Sequence, residues 1–253
     1  LKAGLALLFS RSKSRLSDGL RLPHVACVSH AVRDTLWAEG ITMGRVEVIH
    51  NGIDPSQFSP MVGSVPSTPP LRLLLAGRLT HDKGVFVALE ALAIAVGAGH
   101  DLHLTLAGEG SAAVGREVRS AIHGFGVERH AHMSGRMPRH AMPEIMTRHH
   151  VLLVPSLWAD PLPRSAQEGM ASGLAVVASR IGGLPELIDD GATGLLVPPG
   201  DPRSLAEAMG RLAADPALRQ RLGEAGLSRV REEFDIQRTV QRIETRLQRM
   251  LSD

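Results

Sequence analysis

From residue 71 onward the chain alternates short unbroken apolar runs with spans of helical periodicity. LRLLLAG (71–77), DLHLTLAG (101–108), AHMSG (131–135), VLLVPS (151–156), AVVAS (175–179) and GLLVPPG (194–200) read as strands. Between them GVFVALEALAIAVGAG (84–99), SAAVGREVRSAIHGFG (111–126), SAQEGMASG (165–173) and DPRSLAEAMGRLAADP (201–216) read as helices, with a broken helix in PRHAMPEIMTRH (138–149). Apolar runs of this length flanked by glycine and alternating with helices predict βα units, hence an α/β fold with a doubly wound parallel sheet. In such sheets ligands sit at the carboxyl ends of the strands.

The ends of the chain read differently. Residues 1–20 carry an apolar stripe beside Lys2, Arg11, Lys13 and Arg15, which predicts an amphipathic helix; its apolar core is too short to span a bilayer and no cleavage site follows. A start at Leu1 rather than Met gives the expectation that the natural start lies upstream. HVACVS (24–29) reads as a strand and AVRDTLWAEG (31–40) as a helix capped by Ser29; a second strand, Val46 to His50, runs into an Asn51-Gly52 turn. MVGSVPSTPP (61–70) breaks all periodicity and reads as a domain linker. In the tail Ile236, Val240, Ile243, Leu247 and Met250 recur at helical spacing beside Arg238, Arg242, Arg246 and Arg249. That arginine stripe suits either anionic lipid or a solvated face on a helix docked to the body, the second being the commoner arrangement.

Composition narrows the classes. A chain of 253 residues with 43% hydrophobic and 21% charged positions builds a globular core and is not a disordered tail. Lys plus Arg exceed Asp plus Glu only by 28 to 26, which argues against a dedicated nucleic-acid binder. Cys27 is the only cysteine, so no intramolecular disulfide and no multi-cysteine metal site can form, and a reducing cytosol fits. Of the twelve histidines, His130 with His132 and His149 with His150 lack a carboxylate or cysteine at ligand spacing, so no metal site is expected.

The candidate chemistry gathers after the strands. GRLTHDKG (77–84) leaves a strand through Gly77 and sets Arg78 and Lys83 near a helix N-terminus, an arrangement that favours a phosphate or diphosphate; a surface turn with two solvated cations is the plainer alternative. AGEG (107–110), with Glu109, reads as a turn. Asp160 and Glu168 flank the next strand end, where paired carboxylates suit the hydroxyls of a sugar and a ribose. Glu168 has a rival role that local pattern favours: SAQE (165–168) has the form of a capping box, in which the glutamate only serves the backbone N–H of Ser165. In IGGLPELI (181–188), Gly182 and Gly183 precede Pro185 and are expected to offer a second bare helix N-terminus to the cleft, an ordinary turn being the alternative.

Taken together, VIHNGIDPSQF (48–58), GRLTHDKG, LAGEG (106–110), MSGRM (133–137), PSLWADPLPRSAQEGMASGLAVVAS (155–179), GGLPELI (182–188) and GLLVPPGD (194–201) resemble the family 4 (group 1) retaining glycosyltransferases of the GT-B fold. The resemblance implies the C-terminal half of a GT-B fold with a remnant of the N-terminal domain. Residues 1–60 would be the incomplete end of the acceptor domain, 61–70 a linker, 71–230 the nucleotide-sugar donor domain, and 231–253 a helix crossing back to the first domain. It implies Arg78, Lys83, Asp160 and Glu168 as the catalytic set: Arg78 and Lys83 on the donor diphosphate, Asp160 on sugar hydroxyls, Glu168 on the ribose. Gly77, Glu109, Leu162, Pro163, Arg164, Ser165, Gly182 and Gly183 would complete the donor site, and Arg136 and Met137 would border the base.

The implied activity is metal-independent, retaining transfer of a hexose-like sugar from a nucleotide-diphosphate donor to a glycan or lipid-linked acceptor, with no further cofactor. The implied place is the cytoplasm, with peripheral contact at the inner face of the membrane left open. Two features depart from the family: Asp160 stands where glutamate is usual, and Pro161-Leu162-Pro163 replaces Gly-Phe-Gly, so Pro163 has no N–H to donate. The glycine-rich loop and active-site histidine of the family's first domain have no counterpart, so the missing domain is expected in the same or another chain. A nucleotide-sugar epimerase of the same architecture and a non-catalytic nucleotide-sugar-binding subunit are the rival readings.

Overall fold

The structure, a computed structural model, describes residues 21–58 and 69–252. The helix expected over 1–20 and most of the linker at 61–70 lie outside the described residues. Six parallel strands form the body: β3 (Leu71–Ala76), β4 (Leu102–Ala107), β5 (Ala131–Gly135), β6 (Val151–Val154), β7 (Ala175–Ser179) and β8 (Leu195–Val197). They lie in the order β5-β4-β3-β6-β7-β8. The chain starts in the middle, winds outward on one side and then returns to wind out on the other. The order therefore reverses between β3 and β6, and a crevice must open there at the carboxyl ends of the strands.

Side-chain alternation explains why both faces are covered. Leu73, Leu75, Leu104, Leu106, Val151, Leu153 and Val177 point to one face, against Ala88, Leu89 and Leu92 of a helix over Val85–Gly97 and Leu205 and Met209 of a helix over Pro202–Ala214. Leu74, Leu152, Val154, Val176 and Ala178 point to the other, against Ala166 and Met170 of Arg164–Ala171 and Val230 of Pro216–Glu233. All of these strand residues are buried.

In chain order the helices are α1 (His30–Ala38), α2 (Val85–Gly97), α3 (Ala112–Gly124), α4 (Met142–Met146), α5 (Arg164–Ala171), α6 (Leu184–Leu187), α7 (Pro202–Ala214), α8 (Pro216–Glu233) and α9 (Ile236–Ser252). The alternation read from the sequence matches this series closely. Helix α8 had no counterpart in that reading.

Ahead of the body, β1 (Arg21–Cys27), α1 and β2 (Thr42–Val48) form a small βαβ unit whose two strands pair in parallel. Both strands begin earlier than their apolar runs suggested, because Arg21 pairs with Thr42 and the ladder runs forward from there. The Asn51-Gly52 dipeptide makes no hairpin. A Cβ at Gly52 would lie 2.6–2.7 Å from the backbone of Asp235 and Ile236, so glycine is required there for close approach of two segments. Ile53 N–H donates to the Phe234 carbonyl at 2.9 Å and Ile236 N–H to the Ile53 carbonyl at 2.8 Å. Helix α9 then runs beside the small unit, where Arg246 Nε lies 3.3 Å from Glu47. Among the described residues no helix is long and apolar enough to cross a membrane.

Candidate functional site

A cleft of about 790 Å³ opens at the carboxyl ends of β3, β4 and β6, where the strand order reverses. Its first wall is the loop after β3. Gly77 leaves the strand with φ +136° and donates its N–H to the Ala107 carbonyl at 3.0 Å. Leu79 N–H donates to the Glu109 carbonyl at 3.0 Å, which ties this loop to the one after β4. A 3-10 turn over His81–Lys83 follows, and Gly84 begins α2 with φ +72°. A Cβ at Gly84 would stand 1.8 Å from the Pro155 carbonyl oxygen, so two loops cross there at a distance only glycine allows.

The crossing brings Lys83 to Asp160. Their side chains form an ion pair, 24% and 15% exposed respectively, and the Lys83 ammonium also stands 5.5 Å from the centroid of the Trp158 ring. The pair is shielded on one side by an aromatic face, which strengthens a charge contact relative to one in open water. Leu157 N–H donates to the Asp82 carbonyl at 2.8 Å and holds the two loops in register. Arg78 is exposed at the mouth of the cleft.

The third wall is α5. Pro163 is its N-cap residue, with φ −65°, and no side chain caps the helix. Pro163, Arg164 and Ser165 all line the cleft, so the uncapped helix start faces it. This overturns the capping-box role for Glu168. Because the helix begins at Arg164, Ser165 is already its second residue and cannot be the N-cap that such a box needs. The Glu168 carboxylate instead turns into the cleft, 9% exposed as a residue, with Arg164 Nε at 3.9 Å. Burial pushes its carboxyl above the usual range, and the cations Arg164 and Arg139 only partly oppose that.

Of the residues singled out in the sequence, Gly77, Arg78, Lys83, Glu109, Arg136, Met137, Asp160, Leu162, Pro163, Arg164, Ser165 and Glu168 line this one cleft. Gly182 and Gly183 do not. They sit behind the Asp160 loop: Gly183 N–H donates to the Asp160 carbonyl at 2.9 Å, and Cβ atoms at the two positions would stand 2.4 Å from Asp160 O and 1.9 Å from Pro161 O. Their smallness lets α6 approach that loop; the short helix offers no N-terminus to the cleft.

The sequence reading passed over Arg139, Met142 and Ser156, which also line it. Arg139 follows β5, so the rule that ligands sit at strand ends reaches it, as it does Arg136, which the resemblance had named. Ser156 is 1% exposed and its hydroxyl has no partner among the described residues. With Arg78, Lys83, Arg136, Arg139 and Arg164 set against Glu109, Asp160 and Glu168, five cations face three carboxylates. Histidines cluster elsewhere, in ways that spacing along the chain did not show: His130 meets Asp101 and His103, and His50 meets His30 and Glu186. Asp101 lies two residues before His103 at the start of β4, whereas Glu186 comes from α6.

Residues 64–229 match the family of group 1 glycosyl transferases. The chain belongs to that family. Over 213 residues the chain is 30% identical to the amylovoran biosynthesis glycosyltransferase of Erwinia amylovora, matching 82% of this chain and 52% of that one. It is 34% identical over 231 residues to the alpha-maltose-1-phosphate synthase of Mycobacterium tuberculosis, matching 83% of this chain and 59% of that one. The chain thus spans little more than half the length of these relatives. Among solved structures, an Anabaena protein in complex with UDP superposes with a TM-score of 0.81 at 22% identity, over 89% of this chain and 64% of that one. The fold is that of the C-terminal domain of GT-B glycosyltransferases.

Proposed function

We propose that this chain is the donor-binding part of a metal-independent, retaining glycosyltransferase. It takes a hexose-like sugar from a nucleotide-diphosphate donor and passes it to an acceptor hydroxyl in bacterial glycan or glycolipid synthesis. The observation that carries this reading is the meeting in one cleft of Arg78 and Lys83 from one loop with Asp160, Glu168 and the open start of α5 from another. Cations and an uncapped helix start suit a diphosphate, and buried carboxylates suit hydroxyls. The excess of cations over carboxylates suits the doubly charged diphosphate of a donor and the further charge it gains on leaving. In this reading Arg78 and Lys83 stabilise the diphosphate as it departs, an electrostatic role that needs no metal. Asp160 binds sugar hydroxyls, Glu168 the ribose, and Arg136 and Met137 border the base. The relative's role in amylovoran biosynthesis supports a polysaccharide product, and the UDP held by the Anabaena neighbour supports a nucleotide-linked donor.

The division of labour follows. Residues 71–230 are the donor domain, 61–70 the linker, 1–60 the end of an acceptor domain, and 231–253 the helix that returns to it. Catalysis then needs the remainder of that domain in the same or another chain.

Thermal shift with UDP, GDP and ADP tests the first claim. At least one should raise the melting temperature, and Arg78→Ala should abolish the rise. Binding that survives in both Arg78→Ala and Lys83→Ala refutes the diphosphate site. Product analysis with donor alone excludes an epimerase if the sugar is unchanged, and transfer only upon addition of a second glycosyltransferase-like chain supports the subunit reading.

A further inference from the structure

The first four N–H groups of a helix have no partner within it, so whatever satisfies them holds that helix in place. In α1, Arg33 N–H makes the first helical bond, to the Ser29 carbonyl at 3.2 Å, and of the three helix N–H groups ahead of it Val32 donates to the Ser29 hydroxyl at 3.2 Å. The other two, His30 N–H at 2.8 Å and Ala31 N–H at 2.9 Å, donate to the two carboxylate oxygens of Glu186, more than 150 residues away on α6. His50 Nε2 stands 2.9 Å from the same carboxylate, and Arg229 of α8 donates to the Glu186 carbonyl at 3.1 Å. One side chain of the body therefore closes the start of α1 and grips the segment after β2.

Glu186 is also three residues from Gly183, part of the donor cleft's own scaffold. Gly183 N–H holds the Asp160 carbonyl, and α6 follows at once. A shift of the loop that carries Asp160 must move α6, since Gly182 and Gly183 leave no slack against residues 159–161. The burial that would otherwise raise the Glu186 carboxyl is outweighed by His50 and the two backbone N–H groups, so it titrates below its ordinary value and stays an anion at neutral pH.

We propose that Glu186 is the positioning residue that couples the donor loop to the βαβ unit of residues 21–48: donor binding at Asp160 is relayed through Gly183 and α6 to the start of α1. This rests on the cleft being a nucleotide-diphosphate site, and the two claims are separable by experiment.

The readout is amide exchange of the intact chain, followed at His30 and Ala31. Without ligand, Glu186→Ala should speed exchange at these two amides about tenfold or more, the loss expected when a charge-assisted acceptor is removed, while β3, β4 and β6 keep their protection. Glu186→Gln covers the case in which the alanine variant fails to fold: with one oxygen left, at least one of the two amides should lose protection. With the nucleoside diphosphate that binds best of UDP, GDP and ADP, wild-type protein should gain protection across residues 28–38. Glu186→Ala should bind that nucleotide within about twofold of wild type, because Glu186 does not line the cleft, and show no such gain. Unchanged exchange in the ligand-free variants overturns the clamp. A gain at residues 28–38 that persists in Glu186→Ala, or its absence in nucleotide-bound wild type, overturns the coupling. Failure of all three nucleotides to bind removes the donor-site reading, while the ligand-free arm still decides the clamp.

Discussion

Replacing Glu168 with glutamine should make the ligand-free protein more stable and the nucleotide complex weaker. The Glu168 side chain is 12% exposed, and its nearest charge partner is Arg164 Nε at 3.9 Å on a side chain that is itself 55% exposed. Taking a carboxylate out of water costs several kcal/mol after relaxation. Opposing that, a cation at 3.9 Å contributes about 4 kcal/mol at an effective dielectric near 20 and about 1 kcal/mol at that of water. Exposure of Arg164 moves the attraction toward the lower figure, so a net cost on the order of 1 kcal/mol remains, in the direction of the raised carboxyl.

Glutamine keeps the shape and removes the charge, which should raise the melting temperature by about 2–4 °C in a chain of this length. The sign with pH follows from linkage. A carboxyl whose folded-state pKa is raised favours the folded state most below the unfolded value near 4.3, and that advantage is lost as pH rises through the folded value. The stability gap between Glu168→Gln and wild type should therefore vanish near pH 4 and open toward pH 7. Calorimetric unfolding at several pH values measures it, and titration with the nucleoside diphosphate that binds best should show affinity falling about tenfold or more, as expected when a charged acceptor for ribose hydroxyls is neutralised. A lower melting temperature with unchanged affinity would refute the reasoning and return Glu168 to a structural role.

Three further outcomes test the scaffold around the cleft. Lys83→Ala strands Asp160 as a largely buried, unpaired carboxylate and should cost about 2–3 kcal/mol, somewhat less than for a fully buried pair; Lys83→Ala with Asp160→Asn should recover more than half of that in denaturant unfolding. Gly84→Ala meets both a left-handed backbone and the Pro155 carbonyl at 1.8 Å, so loss of at least about 2 kcal/mol is expected in the same assay, where a neutral result contradicts the crossing of the two loops. Gly183→Ala should push the Pro161 carbonyl away and weaken nucleotide-sugar binding more than nucleoside diphosphate binding, because the displaced carboxylate is Asp160; equal losses in calorimetric titration argue against a sugar role for that residue.

Much of the fold and the cleft was legible along the chain because both rest on local periodicity. Leu73 and Leu75 against Leu74 in β3, or Val151 and Leu153 against Leu152 in β6, must face opposite layers when every second side chain turns over, so continuous apolar runs imply a sheet covered on both sides. Glycines at 77 and 84 mark the places where the chain leaves that pattern, and the strand-end rule then collects Arg78, Lys83, Glu109 and Asp160 at one edge. The capping motif at 165–168 misled for a local reason. Its spacing is right, but Pro163 starts the helix two residues too early for Ser165 to be the cap.

What the sequence by itself determined is the α/β alternation, the parallel sheet and the residue types that meet at its carboxyl edge. Tertiary structure alone decided the pairings: Lys83 with Asp160 across 77 positions, Gly183 behind Asp160 rather than inside the cleft, and Glu186 at the start of α1 across 156. The physical reason is that periodicity reports which side of an element faces the core, while the partner of a buried charge is chosen by which loops the sheet order brings together. Here that choice lies at the reversal between β3 and β6, a property of no single stretch of the chain.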